Sequence, residues 1–155
     1  MKRPVRVLLS VVVLAGILLA GCGVRPSGVI TGGPAPAGTV DGVRFYLIAD
    51  GEPALVLRGL KPTAPDEVLR LLAAGPSHVE QQEGFSSEVP AAIVPATVGF
   101  DGDSTLVSLS TDVRTLSVLA VVQIVCTVQA TTDNAPVTLV SGEQRRGPLR
   151  CPAYN

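Results

Sequence analysis

The sequence predicts an α+β fold: two similar β-β-α halves and a closing strand, with the helices packed on one face of a mixed sheet. Two observations carry this reading. Asp50-Gly51 and Asp101-Gly102-Asp103 each interrupt an apolar, strand-prone run in the manner of a hairpin turn. Each hairpin is then followed by a segment long enough for a helix, and Ala135 to Val140 supplies one more strand at the end.

Before the first strand the chain carries two segments that are not part of this fold. Lys2, Arg3 and Arg6 precede an apolar run from Val7 to Ala20. At about 14 residues the run falls short of the roughly 20 that a membrane-spanning helix needs, and has the length of a signal-peptide core. It ends in Leu19-Ala20-Gly21-Cys22, a branched residue and two small ones ahead of a thiol. That pattern marks a lipoprotein processing site. Cleavage between Gly21 and Cys22 would leave Cys22 as the first residue, alkylated by a diacylglyceryl group whose fatty chains are of the palmitate type. The competing readings are an ordinary secretory signal with an incidental cysteine and an N-terminal anchor helix that is never cut. Residues 1–21 are therefore expected to be a lipoprotein signal peptide. Residues 22–40, rich in Gly, Pro, Ser and Ala, lack the apolar side chains to order themselves and read as a tether. The folded domain is expected at 41–155, tethered to the outer face of the cytoplasmic membrane.

Val43 to Ile48 and Ala54 to Arg58 read as the first hairpin, rich in aromatic and β-branched residues. Thr63, Pro65, Asp66 and Glu67 form a helix start, with a capping hydroxyl, a proline in the first turn and acids at the positive dipole end. Val68, Leu69, Leu71 and Leu72 give it an apolar face, and Gly75-Pro76 ends it. Ser77 to Ser87 is polar and reads as a loop with room for one short turn. Ile93 to Val98 and Thr105 to Leu109 flank the second turn, with Leu106 or Val107 facing the core by alternation. Val113 to Gln129 is apolar nearly all round. Its valines favour a strand, its length of about 17 residues favours a helix, and we read it as a buried helix that Asp112 could cap. Gly142 to Gly147 and a tail bearing Cys151 follow the closing strand.

Composition narrows the function classes. Three of the twelve basic residues and none of the thirteen acidic ones lie in residues 1–21, leaving nine against thirteen and a net charge of −4. Such a chain with no basic run does not suit nucleic acid. Ten of the twelve basic residues are Arg, and Ala and Val abound, a bias typical of actinobacterial genes. With Cys22 assigned to lipid, Cys126 and Cys151 remain. Outside the cell an even remainder suggests a disulfide, closing a loop of about 25 residues worth roughly 3.5 kcal/mol in the chain-entropy account. Two free buried thiols are the alternative.

Several pieces resemble the sporulation and germination domain GerMN, found in actinobacterial lipoproteins and spore proteins. They are Phe45-Tyr46-Leu47, Leu55-Val56-Leu57-Arg58, Leu71-Leu72-Ala73-Ala74-Gly75-Pro76 and Gly84-Phe85-Ser86-Ser87-Glu88-Val89-Pro90. Leu106-Val107-Ser108-Leu109-Ser110 and Ala120-Val121-Val122-Gln123-Ile124-Val125 complete the set. The likeness covers about residues 40–142. It implies an α+β interaction or scaffolding module rather than an enzyme, and a helix at Val113 to Gln129. Relatives of this kind often carry a propeller or an amidase as well, and the tail with Cys126 and Cys151 departs from the common pattern.

Residues with catalytic potential each have a simpler employment. His78, the one histidine, sits in a polar loop beside Ser77 without a nucleophile and acid at a matching spacing. Asp66-Glu67 belong to a helix start, and Asp101 and Asp103 to a turn that lacks the further oxygen ligands of a calcium loop. Two cysteines and one distant histidine do not make a zinc site. The expectation is therefore a non-catalytic, lipid-anchored module without cofactor or metal, partnered by the membrane through Cys22 and by an envelope protein. A small-ligand-binding lipoprotein and, further off, a cell-wall hydrolase are the alternatives.

Overall fold

The computed structural model of the protein describes residues 42–61 and 64–152. The signal peptide, Gly21, Cys22, the whole tether and the expected cap Thr63 lie outside the described residues.

The first hairpin joins β1 (Val43–Ala49) to β2 (Glu52–Arg58), in register from Ala49 opposite Glu52 to Val43 opposite Arg58. Asp50 and Gly51 both have positive φ, 52° and 81°, which matches the right-handed twist of the strands. Val43, Phe45 and Leu47 are buried on one side, while Arg44 and Tyr46 point to the other.

Helix α1 (Pro65–Ala73) buries Val68, Leu69, Leu72 and Ala73 and stops at Gly75, whose φ of +81° only glycine adopts without strain. Its N-cap position is held by Ala64, with no side-chain cap. The expected loop at 77–87 contains a five-residue helix, α2 (His78–Gln82), opened by a capping box in which Ser77 and Glu80 bond each other's main chain. Ser86 then bridges to Ile48 through two main-chain hydrogen bonds of 2.8 Å.

A 3-10 turn at Ala91–Ile93 buries Ile93, and β3 (Thr97–Asp101) begins only after it. The strand expected at Ile93 to Val98 starts later than that because Pro95 has no N–H for a ladder. Antiparallel β4 (Ser104–Ser108) follows the turn at Gly102 and buries Thr105 and Val107.

Helix α3 (Val118–Gln129) starts at Val118 rather than Val113. Ser117 is its cap, its hydroxyl accepting the Ala120 N–H at 3.0 Å. Asp112 does not cap it. That carboxylate closes a local turn on the N–H of Arg114, and Val113 and Leu116 reach the core from irregular chain. The helix is the crossover between β4 and the parallel strand β5 (Val137–Ser141). A further strand, β6 (Gln144–Leu149), pairs with β5 where the sequence reading placed only a connection and tail.

The α+β class expected from the sequence is the class observed. The sheet is mixed, in the order β3-β4-β5-β6, and β1-β2 stands as a separate antiparallel pair. Helix α3 is apolar nearly all round because it packs against both β1 and β5. Phe45, Leu47, Leu69, Leu72, Ile93, Val107, Ile124 and Leu139 form the centre of one continuous core.

Candidate docking face

The side of the β1-β2 hairpin turned away from that core is unusually apolar. Its cross-strand pairs are Arg44 with Leu57, Tyr46 with Leu55, and Ile48 with Pro53. Leu55 is 54% exposed and Leu57 42%. A half-buried hairpin normally turns polar residues to water, so two leucines and a proline on the outer face call for a reason.

This face runs into a groove of about 300 Å³ lined by Arg44, Tyr46, Leu55, Gln129, Cys126 and Cys151. Two polar positions on α3 fix one wall. Thr127 accepts the Tyr46 N–H on Oγ1 at 3.0 Å, and Gln123 donates from Nε2 to the Tyr46 carbonyl at 2.9 Å while its Oε1 accepts the Glu88 N–H at 2.9 Å. Both are fully buried, and both stand where a neighbouring strand would otherwise be. The other wall is the C-terminal tail. Cys126 and Cys151 stand at disulfide distance, their Cα atoms 4.7 Å apart. Gln129 accepts the Cys151 N–H and donates to the carbonyls of Asn134 and Ala135 at 3.1 and 2.8 Å, tying the tail to the turn after α3.

Two arginines at this hairpin have opposite fates. Arg58 is employed inside the fold: it reaches both carboxylate oxygens of Glu80 at 2.9 and 2.7 Å, bonds the Gly75 carbonyl at 3.0 Å, and stacks over the Phe45 ring at 4.4 Å. Its guanidinium holds Glu80 down at a pKa of about 2, against the burial that pushes the other way and with the help of the Ser77 N–H. Arg44 is exposed and has no ion-pair partner among the described residues. It is a cation set in an apolar surface.

The residues weighed for catalysis lie apart from this face. His78 is exposed at the first position of α2. Asp66 does not cap α1 but accepts the Val98 N–H of β3 at 2.7 Å. Glu67 is held below the usual carboxylate range by its hydrogen bond to Arg70, and these two line a second, open groove of about 380 Å³ beside Pro95. Asp101 and Asp103 sit in the exposed β3-β4 turn, Asp101 at 4.0 Å from Arg145. Among the described residues no three His, Cys, Asp or Glu side chains are grouped as metal ligands.

No family model, curated protein or solved structure matches the chain. Sequence reasoning found Cys126 and Cys151 but missed Gln123, Thr127 and Gln129. Their signal was present: in an otherwise apolar run, Gln123 and Thr127 lie four residues apart on one helical face, and Cys126 and Gln129 three apart on another.

Proposed function

We propose that the protein is a non-catalytic interaction module of the cell envelope, anchored by diacylglyceryl Cys22 to the outer face of the cytoplasmic membrane. The observation that carries the docking role is the outer face of the β1-β2 hairpin, where Leu55 and Leu57 are exposed around the unpaired Arg44. The Leu19-to-Cys22 processing pattern supports the anchor, and the resemblance to GerMN supports a scaffolding role. A folded domain on a tether of about 20 residues reaches on the order of 25 Å from the membrane on average, enough to meet a neighbouring envelope protein. An apolar patch with one cation suits a partner surface of apolar residues around an acidic one.

Two measurements test this. Cys22→Ala should move the chain from the membrane fraction to the medium or leave it unprocessed; an unchanged mass and partition contradicts the anchor. A photo-crosslinking residue at Tyr46, installed in the full chain in cells, should capture one envelope protein, and Arg44→Glu should abolish the capture. Capture that survives the charge reversal places the docking surface elsewhere.

A further inference from the structure

Sheets end in edge strands, and folded proteins keep those edges from pairing with other chains. Three of the edges here are covered or interrupted. The open side of β1 is taken by Gln123, Thr127 and Ser86. On β3 the Val98 N–H is bonded by Asp66, which interrupts that edge and leaves one residue, Phe100, facing outward. Strand β6 carries Pro148, which has no N–H, after Gly147 at a φ of 142°.

Strand β2 differs. Because Tyr46 and Ile48 turn their main-chain groups away from β2, alternation directs those of Ala54 and Val56 toward β1 and those of Leu55 and Leu57 outward. Among the described residues no hydrogen bond reaches the outward pair. Pro53 blocks only the end near the turn. The two leucines with open main-chain groups are also the two exposed leucines of the hairpin.

We infer that β2 is a pairing edge and that its occupant is the β2 strand of a second copy of this chain, running antiparallel. The strand's own sequence argues for self-pairing. It reads Glu52-Pro53-Ala54-Leu55-Val56-Leu57-Arg58 and continues to Lys61, an acid at one end, bases at the other and apolar residues between, with no ion pair of Lys61 among the described residues. Antiparallel pairing reverses the ends, and a register centred on Val56 sets Glu52 of each copy opposite Leu60 of the other, one residue from Lys61. Centring the pair on Val56 sets Leu55 opposite Leu57 twice over, which closes all four outward N–H groups with four carbonyls and asks nothing of Pro53. Arg58 takes no part, being held by Glu80. The product is a four-stranded sheet that doubles the docking face and adds avidity to any partner it meets.

The test uses the full-length acylated chain. Sedimentation in detergent should show a dimer, and Leu55→Lys, at an exposed position outside the core of the single copy, should weaken it by about tenfold or more while the far-ultraviolet circular dichroism stays that of a folded chain. Glu52→Lys should weaken the dimer as well, and the swap Glu52→Lys with Lys61→Glu should restore it. In cells a photo-crosslinker at Leu57 should give a product of two copies of this chain. A chain that sediments as a monomer at every concentration, a charge swap that fails to restore, or Leu57 adducts only to another protein or to lipid would each overturn the assignment.

Discussion

Arg58 and Glu80 tie together the end of β2, the end of α1 and the start of α2, by bonding each other and the main chain of Gly75 and Ser77. Glu80 is 8% exposed, so its charge is tolerated only because Arg58 and the Ser77 N–H surround it. Removing the acid strands the guanidinium beside Phe45. Glu80→Ala should therefore cost about 3 kcal/mol in urea denaturation at pH 7, where an exposed Glu→Ala such as at Glu83 costs little. The same pair sets an acid response. Because the folded carboxyl titrates near 2 and the unfolded one near 4.5, its stabilisation is complete above about pH 4.5 and is lost as the pH falls toward 2. The shift corresponds to about 3 kcal/mol. In Glu80→Ala the slope of stability with pH between 4.5 and 2 should flatten by that amount; an unaltered slope would assign the acid response to other carboxylates.

At the level of elements, α3 substitutes for a strand at the edge of β1. The contribution of its polar side chains is measurable at one amide. Thr127→Val keeps the shape and leaves the Tyr46 N–H without its acceptor, at a cost of about 1–2 kcal/mol. Hydrogen exchange at Tyr46 should quicken in this variant while the β4-β5 amides keep their protection. Equal loss of protection everywhere would show that the bond serves global stability rather than this edge. Local chemistry made much of the element list readable: Asp50-Gly51 and Asp101-Gly102 are turns, and Pro65 and Gly75 bound a helix. The start of α3 was not readable from apolar pattern, since Val113 and Leu116 are buried without being helical and only the hydroxyl of Ser117 marks the boundary. Strand β6 was hidden because Arg145-Arg146-Gly147-Pro148 has the composition of a connection, which an edge strand tolerates. The exposed apolar face of the hairpin was hidden for a different reason. Leu55 and Leu57 look like core residues until the pairing with β1 shows which side of the hairpin they occupy.

For the whole molecule, the question is what keeps the tail after β6 in place. Past Leu149 it makes no ladder, and its position depends on Cys126, on Gln129 and on the bond from Arg150 to the Asn134 carbonyl at 3.2 Å. A crosslink spanning 25 residues should contribute about 3.5 kcal/mol by restricting the unfolded chain. Against a total stability of about 5–15 kcal/mol that is a large share. Reduction, or Cys126→Ala with Cys151→Ala, should lower the melting temperature by roughly 15 °C at this size. Since Cys151 lines the groove beside Tyr46, the loss should extend beyond stability. At a temperature where the reduced chain is still folded, exchange at Cys151 should rise and crosslinking from Tyr46 should fall, while the Glu80 response to acid stays intact. If the reduced and oxidised chains melt together and crosslink alike, the tail is an appendage and the groove is built by α3 and the hairpin alone.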